Sequence, residues 1–194
     1  MGARSLSNLK NVNRTFDNVL DSFVNITDSS LSTTAGTGIT TGTGTVYANT
    51  AVKTGGIYHT QILLDITGLR STGANDIIGV DGTALPCHIG QVTAARNGTI
   101  LAGKMTTFET PAGGDPDIDL YFATEGTGVE DGAIGDLTET QLINAGDHSI
   151  GDVHTFAAGV VPAADSFLYL VAGAATDADY TAGRFLIEMW GYDA

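Results

Sequence analysis

Three carboxylates stand at alternate positions in the run Asp115, Pro116, Asp117, Ile118, Asp119. Such spacing can bring several oxygen ligands to a hard cation, as at the start of a calcium loop. Asp115, Asp117 and Asp119 are therefore the calcium candidates of this chain. The run lacks the glycine and the distal bidentate glutamate of the helix-loop-helix calcium motif. Read as a strand, it turns Ile118, Leu120 and Phe122 to one face and leaves Asp117 and Asp119 on the opposite, solvated face. Asp177 and Asp179, beside Tyr180, make a second acidic turn of the same kind.

Other chemistry finds less support. His148 and His154 lie near Asp147 and Asp152, while His59 and His88 stand apart. The chain has no His-Glu-x-x-His and no His-x-His, so its spacing does not build a transition-metal site. A Ser-His-Asp triad has no Gly-x-Ser-x-Gly elbow to carry its nucleophile. The glycine-rich stretches GTGITTGTGT and EGTGVEDG precede no clear helix and carry no Lys-Ser/Thr pair, so they are not phosphate loops. Cys87, between Pro86 and His88, reads as a buried core cysteine rather than a reactive thiol. Tyr58, Tyr121, Phe122, Tyr169, Trp190 and Tyr192 could line a carbohydrate groove, but aromatic residues at strand positions serve first as core. The expectation is a protein without catalytic residues, metal or cofactor.

Composition narrows the class. Of 194 residues, 26 are glycine and only 15% are charged, with 22 acidic against 8 basic, a net charge of −14. Nucleic acid and anionic membrane both need basic surface, so neither is an expected partner. The single cysteine excludes an intrachain disulfide framework. Sequons occur at Asn13, Asn25 and Asn97, but Arg4 and Lys10 are not followed by the apolar core of a signal peptide. Synthesis in a cytoplasm is expected, with the sequons arising by chance. No run approaches the 18 apolar residues of a membrane span.

The chain divides into three parts. Within residues 1–27, Leu9, Val12, Phe16, Val19, Phe23 and Ile26 recur at steps of three and four, the a/d seam of a helix that buries one stripe. Leu6 and Leu20 widen it. The intervening asparagines are poor helix formers, and under three heptads cannot hold alone. The arm therefore docks on its own domain, on a sister subunit or on another protein. Residues 28–45, rich in Ser, Thr and Gly, read as a linker. Residues 46–194 read as the folded domain.

That domain reads as β. Strands are expected within residues 46–52, 57–66, 76–80, 87–95, 99–109, 118–124, 153–157, 166–172 and 184–190, each bounded by turn residues. Arg96, Asn97 and Gly98 are read as a hairpin turn, since Asn-Gly supplies the two positive φ angles of a type I′ turn. The pattern predicts a mainly β, antiparallel β-sandwich or jelly-roll-like domain.

The runs YHTQILLDITGL (58–69), IGQVTAARNGTILAGKM (89–105), ETPAGGDPDIDLYFATEGTGVEDGA (109–133), LINAGDHSIGDVHTF (142–156) and PAADSFLYLVAGAATDADYTAGRFLIEMWGYDA (162–194) resemble virion structural proteins of marine tailed bacteriophages, especially cyanophages. The resemblance covers residues 46–194 and is weaker over the arm. It implies a capsid-associated, decoration or cement protein that stabilises the outer shell. Its partner would be the major capsid protein, with a homo-oligomer, here a trimer, as the expected form. The virion surface would be its place and the host bacterial cytoplasm its site of synthesis. The alternative is a tail, neck or fibre component, or a receptor-binding adhesin. The arm stripe Leu9, Val12, Phe16, Val19, Phe23 and Ile26 would make the oligomer or capsid interface.

Overall fold

Strand-forming residues at alternate positions dominate residues 57–65, and there the backbone extends. In β2 (Ile57–Asp65), Tyr58, Thr60, Ile62 and Leu64 are buried while Ile57, His59, Gln61 and Leu63 are not. This alternation is what a strand with one face on a core must show. A computed structural model describes residues 33–82 and 84–193. The predicted arm, with Leu9, Val12, Phe16, Val19, Phe23 and Ile26, lies outside the described residues.

The molecule is mainly β, and every strand pairing is antiparallel. The strands before the midpoint are β1 (Val46–Thr54), β2, β3 (Arg70–Ser71) and β4 (Gly90–Gln91). Then come β5 (Thr99–Ala112), β6 (Ile118–Ala123), β7 (Glu139–Ile143) and β8 (Val153–Thr155). The last are β9 (Phe167–Ala172), β10 (Ala178–Asp179) and β11 (Ala182–Tyr192). One sheet has the order β1-β2-β11-β5-β8, the other β4-β9-β6-β7, and β10 and β3 form a small ribbon.

The two larger sheets share one core. Ile62, Leu64, Phe185 and Ile187 of the first cluster with Ile118, Leu120, Leu168 and Leu170 of the second, all fully buried. Each such side chain removed from water is worth about 1.5–3 kcal/mol, and this shared burial gives the sandwich-like arrangement. The last long strand, β11, lies in the middle of its sheet between β2 and β5.

Three expectations need correction. Residues 33–45 were expected as an exposed linker, yet Ile39 is fully buried in the core and sits in a helical turn, Thr37–Thr40. Thr33 is tied down as well, its N–H donating to Asn49 Oδ1 at 2.8 Å and its carbonyl accepting from Asn49 Nδ2 at 2.7 Å. One isoleucine among small residues is enough to anchor a segment that composition marks as loop.

The hairpin expected at Arg96, Asn97 and Gly98 does not form. Residues Ala94–Asn97 make a helical turn capped by Thr93, and β5 pairs with β11 and β8 instead of β4. Asn97 points inward, 1% exposed, and its Nδ2 donates to Thr60 Oγ1 at 2.8 Å. Its Oδ1 accepts from Thr93 N–H at 2.8 Å. Gly98 keeps a positive φ of 65°, and a Cβ there would lie 2.5 Å from the Tyr192 carbonyl oxygen. The Asn-Gly pair thus closes a helical turn onto the core, which leaves the third sequon buried.

Residues 76–80 contribute isolated bridges rather than a strand, among them Ile77 to Val171 and Asp76 to Ala133. Conversely β7 was not expected. Its sequence ETQLI buries only its last two residues, so it carries almost no apolar alternation.

Candidate interaction face

The face of the five-stranded sheet turned away from the core is organised in rows, because paired strands align their side chains across the sheet. Ala48 pairs with Leu63, Leu63 with Leu186, Leu186 with Thr106, and Thr106 with Val153. These five residues form one apolar row across all five strands, only Thr106 offering a hydroxyl. Phe108, the extra residue where β5 and β11 shift register between Thr107 and Glu109, projects beside the row and is 47% exposed. Ala48, Leu63, Leu186 and Phe108 line a shallow cavity of about 290 Å³. Val153 at 54% exposed continues the apolar surface to the β8 edge.

Ionic rows flank it. On one side Val46, Asp65, Arg184 and Glu109 align. Arg184 bonds Asp65 Oδ2 at 2.7 Å and lies 3.8 Å from Glu109. Burial works to raise the Asp65 carboxyl, but bonds from Thr67 and Arg184 hold it below its ordinary range.

On the other side Thr50, Gln61, Glu188, Lys104 and Thr155 align. Glu188, only 8% exposed, accepts from His59 Nε2 at 3.0 Å, from Gln61 Nε2 at 3.3 Å and from Lys104 Nζ at 2.8 Å. Burial pushes its carboxyl up, and the bonds from Lys104 and His59 more than offset this, leaving it below the usual value. Trp190 closes the knot, stacked on His59 at 5.0 Å with Lys104 Nζ 5.8 Å from its ring centroid.

The calcium candidates sit elsewhere and are largely committed to the fold. Asp115 is 1% exposed, and its two carboxylate oxygens accept from the N–H groups of Asp117 at 3.1 Å and Ala174 at 2.6 Å. Asp119 is not on a solvated face: it is 5% exposed and accepts from Gln141 Nε2 at 2.8 Å and Ala145 N–H at 3.0 Å. Both faces of β6 are covered, which the alternation of its aspartates concealed. Burial raises the carboxyls of Asp117 and Asp119, and neighbouring aspartates add to it. Asp177 and Asp179 are taken up by Arg70, at 2.7 and 2.8 Å. Among the described residues, no group of three or more His, Cys, Asp or Glu could hold a metal ion.

The remaining candidates also serve the core. Cys87 is buried, donates to the Leu85 carbonyl at 3.2 Å, and burial pushes its thiol up to about 12. His148 is 2% exposed between Thr107 Oγ1 and the Ile118 carbonyl, each at 2.8 Å. A carbonyl only accepts, so Nε2 carries the proton and neutral Nδ1 accepts from Thr107. Burial, with His154 close by, lowers the His148 pKa. Of the six aromatic residues considered for a carbohydrate groove, Tyr58, Tyr121 and Tyr169 are buried, Phe122 and Trp190 partly so, and Tyr192 is 38% exposed.

No helix among the described residues is long and apolar enough to cross a membrane. Comparison with protein-family models, with curated proteins and with solved structures gives no match.

The apolar row is the feature that sequence reasoning missed. Its signal was present in Leu63 and Leu186, large apolar residues at positions that alternate with the core residues of their strands. Only the pairing register shows that they are neighbours, with Ala48 and Val153 in the same line.

Proposed function

We propose that this chain is a non-enzymatic structural protein of a virion, a decoration or cement protein that binds the outer capsid shell and stabilises it. The apolar row Ala48, Leu63, Leu186 and Val153, with Phe108 beside it, carries this reading. Apolar surface exposed on the outside of a sheet and framed by ionic rows is the composition of a protein contact: an apolar centre supplies affinity and a polar rim sets orientation. Asp115, Asp119, His148 and Glu188 are each bonded to backbone groups or neighbouring side chains, which supports a structural role. The net charge of −14 suits a solvent-facing part and disfavours contact with packaged nucleic acid.

Binding to shells assembled from the major capsid protein of the same virion tests the proposal. Full-length chain should co-sediment with preformed shells at a saturable ratio and raise their melting temperature. A chain that stays in the supernatant, with unchanged shell melting, contradicts it. Trp190 and Tyr192, next-nearest neighbours on the outer side of β11, favour an adhesin as the second reading. Saturable binding to a glycan that is lost in Trp190→Ala would support that reading in its place.

A further inference from the structure

We propose that the apolar row receives the N-terminal stripe, Leu9 to Ile26, of a second copy of this chain. The inference rests on the assembly reading and deepens it: the row joins sister copies, and the shell is met by the oligomer that they form.

Size is the first argument. The row crosses five strands and so spans about 19 Å. As a helix, the stripe from Leu9 to Ile26 would be about 26 Å long, enough to cover the row from Ala48 to Val153. Its large residues, Phe16 and Phe23 among them, match an open groove lined by Leu63, Leu186 and Phe108. Among the described residues, Leu63 and Leu186 are only partly covered, and Ala48, Phe108 and Val153 are exposed.

Charge is the second. Residues 1–32 hold three of the 8 basic residues (Arg4, Lys10, Arg14) and three of the 22 acidic ones (Asp17, Asp21, Asp28), so residues 33–194 carry the whole net charge of −14. The arm carries no net charge and can approach the acidic body of a sister copy without net repulsion, and its leading third is basic.

The path of the chain selects a second copy. Asn49, which holds Thr33 on both sides of its peptide, pairs across the sheet with Ile62, a fully buried residue. Asn49 therefore faces the core side of β1, and Thr33 also accepts from Gln91 N–H at 2.8 Å, in the other sheet. The chain enters the domain on the side of β1 opposite Ala48. Its own arm would have to turn around the β1 edge to reach the row, whereas a sister's arm has no such detour. Reciprocal exchange would close a symmetric oligomer.

Mixing of two full-length variants tests this by light scattering. The wild-type mass should be a multiple of 19.9 kDa. Phe16→Ser/Phe23→Ser, with a defective arm, and Leu186→Glu, with a defective row, should each run as monomers. Their mixture should recover a dimer, because the intact arm of one can dock on the intact row of the other. If Leu186→Glu does not fold, Phe108→Ser at an exposed position serves in its place. A monomeric wild type, an oligomer that survives either variant, or a mixture that stays monomeric overturns the inference. Shell co-sedimentation separates the two proposals. A monomer that binds shells removes the exchange and keeps the shell reading, whereas an oligomer that ignores shells does the reverse.

Discussion

The two sides of β11 carry large side chains at the same density and put them to different uses. Phe185, Ile187 and Met189 face inward and are at most 2% exposed, covered by the second sheet. Leu186, Glu188 and Trp190 face outward, where the described residues only partly cover Leu186 and Trp190. Inside, polar groups would be costly, and apolar packing fills the space. Outside, the strand alternates apolar and ionic positions so that the surface stays soluble while keeping one apolar row. A contact face built this way need not contribute to the stability of the subunit that bears it.

The contrast is tested most severely by truncation on either side. Phe185→Ala leaves a cavity between the sheets and should cost about 3–5 kcal/mol, measured by urea denaturation. Leu186→Ser should cost about 1 kcal/mol on the same scale, since Leu186 is only partly covered and lies outside the core, and should affect association instead. Equal losses at both positions would mean that the outer row is structural.

Titration gives the next largest effect. His148 has a pKa below the ordinary value of about 6.5, chiefly from burial, so the folded state binds fewer protons there than the unfolded chain. Its contribution is fully present above that value and is lost as pH falls through it toward the folded one. His148→Gln should lower stability at pH 8 by about 1–3 kcal/mol through lost buried hydrogen bonds and flatten the decline from pH 7 to 5. An unaltered pH slope in the variant would remove His148 as its source.

Glu188 offers the outward counterpart. Its carboxyl is held below the ordinary range, so its stabilisation is present above the unfolded value and fades as pH falls through the folded one. Glu188→Ala should cost about 1–2 kcal/mol, by releasing Lys104 and His59, and should make Trp190 fluorescence more accessible to quencher. Asp117→Asn should act in the opposite sense. The Asp117 carboxyl is raised by burial and then by Asp119, Asp115 and Asp147, so removing its charge should stabilise by under about 1 kcal/mol at pH 7. The gain should disappear as pH falls through the raised value and wild type becomes protonated. A loss of stability in Asp117→Asn would show that its charge is needed.

Much of the fold was legible because apolar alternation in residues 57–66, 118–124 and 184–190, and the continuous apolar run of residues 166–172, mark strands that pack on a core. What escaped depends on single residues or on distant pairing. Ile39 anchors a segment whose composition is that of a linker, and Asn97 is drawn inward by Thr60, 37 residues away, against its local turn preference. The β7 strand lacks alternation because most of it is exposed. The acidic run could be found in the sequence, but the burial of Asp119 by Gln141 and Ala145 could not. The row was hidden for the same reason: its members lie on five strands, and no local spacing connects Ala48 to Val153.

Oxidative footprinting of the full-length chain, compared between nanomolar and hundred-micromolar concentration, tests most directly whether the outer face is the surface covered on assembly. Phe108, Leu186 and Trp190 should become protected as concentration rises, while exposed Ile57, at the far end of β2 from the row, keeps a constant rate. Equal oxidation of Phe108 and Leu186 across the whole range would contradict the account.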